Sequence, residues 1–168
     1  MRAYKFLRPG HVGPFSSFTW PVDEWVEAQG VSLCADGIHA CRVRDLPYWI
    51  AAELWEVELD GGVREGDRKV VALRGRLARR IDDWNGAAGA RFAEACAART
   101  RERAEVAGDE ELAGFAADAA ANASAGEVAL LGFIAARAAE IAGGEDAYAA
   151  ERAAQAAWFA SELGLAEG

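Results

Sequence analysis

The sequence predicts an α+β protein in which a small mixed β-sheet with aromatic loops occupies the N-terminal half and an alanine-rich bundle of about four helices the C-terminal half. The first 84 residues hold five of the six tryptophans, all four prolines and most of the β-branched residues, whereas the remainder is alanine interrupted by charge. Within the first half "LWEVELDG" alternates polar and apolar residues with period two, the pattern of a half-buried strand. In the second half, glycines and capping residues separate segments of three-to-four spacing. The shift falls at "DDWNGAAGA", residues 82–90, with Asn85 and Gly86 as the turn. The expected organisation is a sheet module over 1–84 and a helical module over 87–168, packed as one compact unit.

In chain order, "YKFL" predicts an opening strand ended by Pro9 and Gly10. "HVGPFSSFTWP" is aromatic but full of turn residues, so it predicts an ordered loop over the core. Asp23 offers an N-cap for a short helix through "EWVEA", stopped by Gly30. "GIHAC" predicts a strand. "RDLPYWIAAE" predicts a short helix or helical turn with Asp45 as cap and Pro47 in its first turn, where a missing N–H costs nothing. In "LWEVELDG", Leu54, Glu56, Glu58 and Asp60 alternate with Trp55, Val57 and Leu59. "RKVVALRGRLARRIDDW" supplies a further strand or a bent pair, with Gly75 marking a bulge or kink.

Four helices complete the chain. "GARFAEACAARTRERAEV" runs to about Gly108, and "DEELAGFAADAAANA" starts at the cap Asp109 with acids in its first turn. "SAGEVALLGFIAARAAEIA" opens on the capping box Ser124 and Glu127, and "EDAYAAERAAQAAWFASEL" comes after Gly143 and Gly144. Val128, Leu131, Ile134, Ala138 and Ile141 form one face of the third. Each alanine buries little compared with the roughly 1.5–3 kcal/mol of a leucine or phenylalanine, so these helices need one another, the sheet or a second copy of the chain.

A chain of 168 residues, 52% of them apolar, buries a sizeable core without covalent staples. Its three cysteines, Cys34, Cys41 and Cys96, are an odd number, which predicts free thiols and a cytoplasmic setting. No apolar run suits a signal peptide or a membrane span. The net charge of −9 argues against a nucleic-acid partner. "KVVALRGRLARR", residues 69–80, is a basic exception in a chain where lysine is almost absent and arginine abounds. Arg74, Arg76 and Arg80 share a side if it is a strand; they read either as a solvated face balanced by carboxylates or as an anion contact.

The candidate catalytic residues are His39, Cys41, Glu56 and Glu58. On a strand His39 and Cys41 share a face, with Cα atoms roughly 7 Å apart. They read as a base and a nucleophile, or as a packed thiol beside a hydrogen-bonded imidazole. Cys34 would complete three soft ligands, but C-x4-H-x-C is not a standard zinc spacing and no metal is expected. Glu56, Glu58 and Asp60 line one strand face, as an acid/base set or as a solvated edge. Tyr4, His11 and Trp20 on the first strand and aromatic loop, with Phe15 and Phe18, suit a planar ligand, and Arg74 and Arg76 an anion on it. Trp20, Trp25, Trp49, Trp55 and Trp84 read first as core and lid, with a binding platform as the alternative.

The order "GIHAC", "RDLPYWIAAE", "LWEVELDG", then "VVALRGRLARRIDDW", resembles the middle and end of the rifamycin-inactivating ADP-ribosyltransferases and their relatives. It is also similar to bacterial and phage proteins of unassigned function that share a Gly-aliphatic-His-Ala-Cys strand followed by a Val-Glu-x-x-Gly strand. The resemblance covers residues 37–84. It implies a split-sheet fold cradling NAD, with His39 at the strand position where the transferases place an aromatic. Their His-Gly-Thr element on the first strand and their Asn-Pro-Thr-x-Ser-Tyr segment have no counterpart here, so no catalytic role is carried over. Two functions are expected from these features: a nucleotide- or small-molecule-binding module, or a noncatalytic interaction protein that dimerises through its alanine-rich helices.

Overall fold

A computed structural model of the chain describes residues 1–33, 36–85 and 87–166. The fold is α+β, with two small antiparallel sheets and three α-helices among the described residues. The chain divides into two units, Met1–Asn85 with Phe159–Gly168, and Gly86–Trp158.

In the first unit, β1 (Arg2–Leu7), β4 (Glu53–Asp60), β7 (Arg74–Arg80) and β2 (Val26–Glu27) form one sheet in the order β1-β4-β7-β2. The second sheet, β3-β6-β5, is built from Ile38–Ala40, Lys69–Ala72 and Arg64–Gly66. Two joints link the sheets. The chain bends at Leu73, so that β6 and β7 serve different sheets, and a reciprocal backbone pair ties Tyr4 to Cys41 at 2.8 and 2.7 Å. Both sheets contribute to one core that includes Leu7, Ile38, Trp55, Val57, Val70 and Leu77. The alternation expected for "LWEVELDG" holds from Trp55 onward: Trp55, Val57 and Leu59 are buried, Glu56 and Glu58 half-buried and Asp60 exposed, while Leu54 is buried as well.

Gly75 sits where the two sheets approach each other. It pairs in register with Leu59 on one side and Val26 on the other, and a Cβ placed on it would stand 2.4 Å from Ile38 Cγ2. The expected bulge therefore lies elsewhere. Glu56 faces Arg79 and Val57 faces Leu77, which makes Ala78 the extra residue. This inserted residue reverses the facing of the residues beyond it, so Arg79 rather than Arg80 joins Arg74 and Arg76 on the carboxylate side.

Three local expectations are overturned. Residues 24–28 do not form a helix: Val26 and Glu27 pair with β7, and Ala28 N–H bonds the Leu73 carbonyl at 2.9 Å. Asp23, at φ 61, lacks the extended backbone an N-cap needs, and so short a segment gains more from an open strand edge than from one helical turn. Residues 43–48 wind as a 3-10 turn capped by the backbone of Arg42, and Asp45 lies inside it, accepting from Arg42 Nε at 2.5 Å. Glu53, expected to end that helix, instead opens β4.

On the outer side of β1, Phe6 packs edge-on against Trp84 and Phe159, at 5.4 and 6.0 Å between centroids. The Tyr4 hydroxyl donates to the Ala166 carbonyl at 3.0 Å and accepts from its N–H at 3.1 Å, which fastens the C-terminal tail.

The second unit contains α1 (Ala87–Ala107), α2 (Glu110–Ala125) and α3 (Val128–Glu162) up to Trp158. Asp109 caps α2 through a 3.0 Å bond from the Leu112 N–H, as its position predicts. The capping box of Ser124 and Glu127 does not form: Ser124 lies in the last turn of α2 and donates to Ala120, and Gly126 terminates that helix at φ 76. Gly143 and Gly144 break the backbone of α3 into two helical segments. Glu151, fully buried, accepts bonds from Arg99, Arg103 and Gln155 inside this unit. No helix among the described residues is long and apolar enough to cross a membrane.

Replacing Gly75 by valine forces a branched side chain into Ile38 and is expected to cost about 1–3 kcal/mol in urea unfolding, part of which the additional change Ile38→Ala restores. An unchanged midpoint for Gly75→Val would contradict the sheet contact.

Candidate ligand-binding site

A cavity of about 730 Å³ opens in the first unit, between β1, β3 and the aromatic loop. Its origin lies in the pairing of β1 with β3. After the Tyr4–Cys41 rung, an antiparallel ladder would next place Phe6 opposite His39. Instead, the His39 carbonyl accepts a 2.6 Å bond from Lys5 Nζ, so a side chain spans the place of a backbone rung.

Lys5 belongs to the face of Ala3 and Leu7 in β1, opposite Trp55 of β4. Its ammonium lies 4.9 Å from the centre of the Trp20 ring, and no described carboxylate forms an ion pair with it. Burial lowers its pKa from 10.5 to about 8, with the neighbouring Cys41 thiol acting weakly in the other direction. Burial also pushes the Cys41 thiol up to about 12, which keeps it protonated and unreactive at neutral pH. His39 is held below the usual histidine value by burial and then by the charges of Lys5 and Lys69, so its imidazole is neutral at pH 7.

The loop of residues 8–20 is ordered although it contains no strand or helix. Gly10 and His11 turn the chain through positive φ, and Glu53 holds that turn by accepting from the Gly10 N–H at 3.0 Å. Arg8 Nη2 donates to the carbonyls of Gly13 and Ser16, and the Gly13 N–H bonds Phe18 O at 2.9 Å. Burial opposes the ionised form of Glu53. Bonds from Trp55 and Gly10, with the charge of Arg80 and the neighbouring His11 ring, nevertheless hold its carboxyl below the usual range.

The loop thereby brings Phe15, Phe18 and Trp20 to the cavity. Phe15 stays 85% exposed and meets Trp49 edge-on at 5.9 Å, while Phe18 meets Trp20 at 5.6 Å. Trp49 is fixed from behind by its indole N–H, 2.7 Å from the Arg68 carbonyl, and Lys69 lies 5.9 Å from its ring. Glu27 and Asp36 add two carboxylates to the lining. The wall thus offers aromatic surfaces, two amines and two acids.

Of the residues singled out in the sequence, His39, Cys41 and Trp20 line this cavity, as do Phe15 and Phe18. Tyr4 lies on the opposite face of β1, and His11 packs against Trp55 at 4.8 Å, near Glu53. Glu56, Glu58 and Asp60 bond Arg79, Arg76 and Arg74 in a ladder on the outer face of β4 and β7. Arg2 also reaches Glu56 at 3.1 Å. The Trp25 ring lies under Arg74 and Arg76 at 5.1 and 5.4 Å. Arg74 and Arg76 are thereby engaged by the protein's own carboxylates. Cys34 lies outside the described residues, and among those described no group of three His, Cys, Asp or Glu residues gathers to hold a metal ion.

Lys5 and Lys69 do not stand out as site residues in the sequence, and Trp49 is there one of five tryptophans read first as core and lid. One signal for Lys5 is nonetheless present there: period-two alternation in "AYKFL" places a charged residue on the face of Ala3 and Leu7, which a core strand seldom tolerates without a task. No protein-family model, curated protein or solved structure matches the chain.

Lys5 gives the folded protein a characteristic pH response. Between about 8 and 10.5 the unfolded chain retains a proton that the folded chain has released, so folding becomes more favourable as pH rises through that window. The parent should therefore gain stability relative to Lys5→Met between neutral pH and about pH 9.5 in urea unfolding. A difference that stays constant with pH would contradict the buried ammonium.

Proposed function

We propose that the first unit is a binding module for a small planar anion of nucleotide size, lodged between the aromatic loop and β3. One observation carries this reading. The chain has 18 lysines and arginines, of which only Lys5 and Lys69 are lysines, and both line the same aromatic cavity. Arginines meanwhile supply the guanidinium-carboxylate pairs along β4 and β7. The volume of about 730 Å³ falls within the range of small-molecule sites, roughly 300–1,000 Å³.

The division of labour comes from the lining. Phe15, Phe18, Trp20 and Trp49 offer ring faces and edges for a flat body. Lys5 and Lys69 attract its negative charge, while Glu27 and Asp36 accept from N–H or O–H groups at its polar rim. The open seam between β1 and β3 supports NAD as a ligand to test beside mononucleotides, in line with the split sheet that the ADP-ribosyltransferase resemblance implies. Binding, not turnover, is the activity this constellation supports. Cys41, held protonated by burial, offers no activated thiolate at pH 7.

A second reading has its own support in α3, where Leu130, Phe133 and Ile141 are exposed on one stripe of the helix. Such a stripe suits self-association, which light scattering across a wide concentration range reads directly. A mass that stays monomeric would remove this reading.

Titration calorimetry with AMP, NAD and naphthalene-2-sulfonate tests the binding module. At least one should bind, and Lys5→Met should weaken that binding about tenfold, the loss of one charge-assisted contact. Phe15→Ala should weaken it without lowering the melting temperature, because that ring is exposed. Silence from all three probes would count against the module.

A further inference from the structure

We propose that Lys5 holds its ligand covalently, its amine forming a reversible imine with an aldehyde or ketone on a planar anionic molecule in the aromatic cavity. This deepens the binding reading and rests on it. The geometry is that of an amine in the wall of a cavity, aimed at a carbonyl acceptor and an indole face rather than at a carboxylate.

An anion contact alone does not account for the choice of lysine. The ion pairs along β4 and β7 and around Glu151 are made by arginine, and guanidinium is the better anion clamp because of its fixed fork of donors. What lysine offers and arginine cannot is a proton that leaves near neutral pH to expose a nitrogen lone pair. The burial that lowers Lys5 to about 8 leaves about a quarter of it neutral at pH 7.5, against about one part in a thousand for an ordinary lysine.

The chemistry balances without an oxidant, reductant or metal. The neutral Lys5 nitrogen attacks the carbonyl carbon, forming a C–N bond as the C=O electron pair moves to oxygen. One proton passes from nitrogen to that oxygen and gives a carbinolamine. A further proton, taken up from solvent through the open cavity, lets that oxygen depart as water while the nitrogen lone pair closes the C=N bond. When protonated, the resulting iminium retains one N–H, and the His39 carbonyl that now accepts from Lys5 is placed to receive it.

The chain supplies its own controls, because its only other amines are Lys69 and the α-amino group, which donates to the Leu59 carbonyl at 2.9 Å. Pyridoxal 5′-phosphate, a planar anionic aldehyde, is added at graded concentration, reduced with borohydride and mapped by peptide mass spectrometry. Lys5 should be labelled at a concentration at least tenfold below that needed for Lys69 or the α-amine, and the preference should vanish in urea. Lys5→Arg, which keeps the charge, and Lys5→Met should both lose the near-visible imine absorbance while their far-ultraviolet circular dichroism stays that of the parent.

Pyridoxine 5′-phosphate, which lacks the aldehyde, separates the two readings. If it binds and Lys5 is labelled no sooner than Lys69, the imine is overturned and the binding module stands. If neither phosphate binds, Lys5 is not labelled, and AMP, NAD and naphthalene-2-sulfonate are also silent, both are overturned.

Discussion

The first unit depends on where its one core-facing ammonium comes to rest. On the alternation of β1, Lys5 falls between Ala3 and Leu7, at a position a hydrocarbon would fill in an ordinary sheet core. A charge there is tolerated only where something accepts its hydrogen bonds and where solvent or a ligand can reach it. The His39 carbonyl meets the first condition, 2.6 Å away, and the cavity meets the second. The amine thus sits in the gap between β1 and β3 beyond the Tyr4–Cys41 pair, and the same gap forms the cavity.

The surroundings of that gap are rigid for separate reasons. Glu53 and Arg8 fix the loop by bonding its backbone, which lets Phe15 and Phe18 remain exposed without the loop collapsing onto the core. Arg42, itself buried, bonds Asp45, Glu65 and the Gly66 carbonyl, and so ties the 3-10 turn that carries Trp49 to β5. On the far side of β4 the ladder of Glu56, Glu58 and Asp60 with arginines of β7 closes the sheet against solvent. Exposed pairs of this kind contribute little stability each, about 0–1 kcal/mol, and their role is to satisfy a charged face. The sheet therefore presents chemistry on one side and balanced charge on the other.

Legibility in the sequence tracks the range of the interactions. "LWEVELDG" and the Asp109 cap can be read because alternation and capping are set by immediate neighbours. The 24–28 segment reads wrongly as a helix because its true partner, β7, lies about fifty residues away in sequence. The inserted Ala78 is invisible for the same reason, and with it the choice of Arg79 over Arg80 for the carboxylate ladder. At the cavity, His39, Trp20 and the loop aromatics stand out as rare residue types in turn-rich chain. Lys5 does not, because a lysine in a strand looks like ordinary surface until β4 and β3 are seen on either side of it.

The protonation of Lys5 can be observed directly. With only two lysines in the chain, ¹³C-labelling at lysine Cε gives a spectrum in which the Lys5 signal is the one removed by Lys5→Arg. Its chemical shift should titrate with a midpoint near 8, as an ammonium held in an apolar wall requires. A midpoint at the ordinary lysine value of 10.5 would mean a solvated amine, and the cavity would lose the feature that sets it apart from a surface cleft.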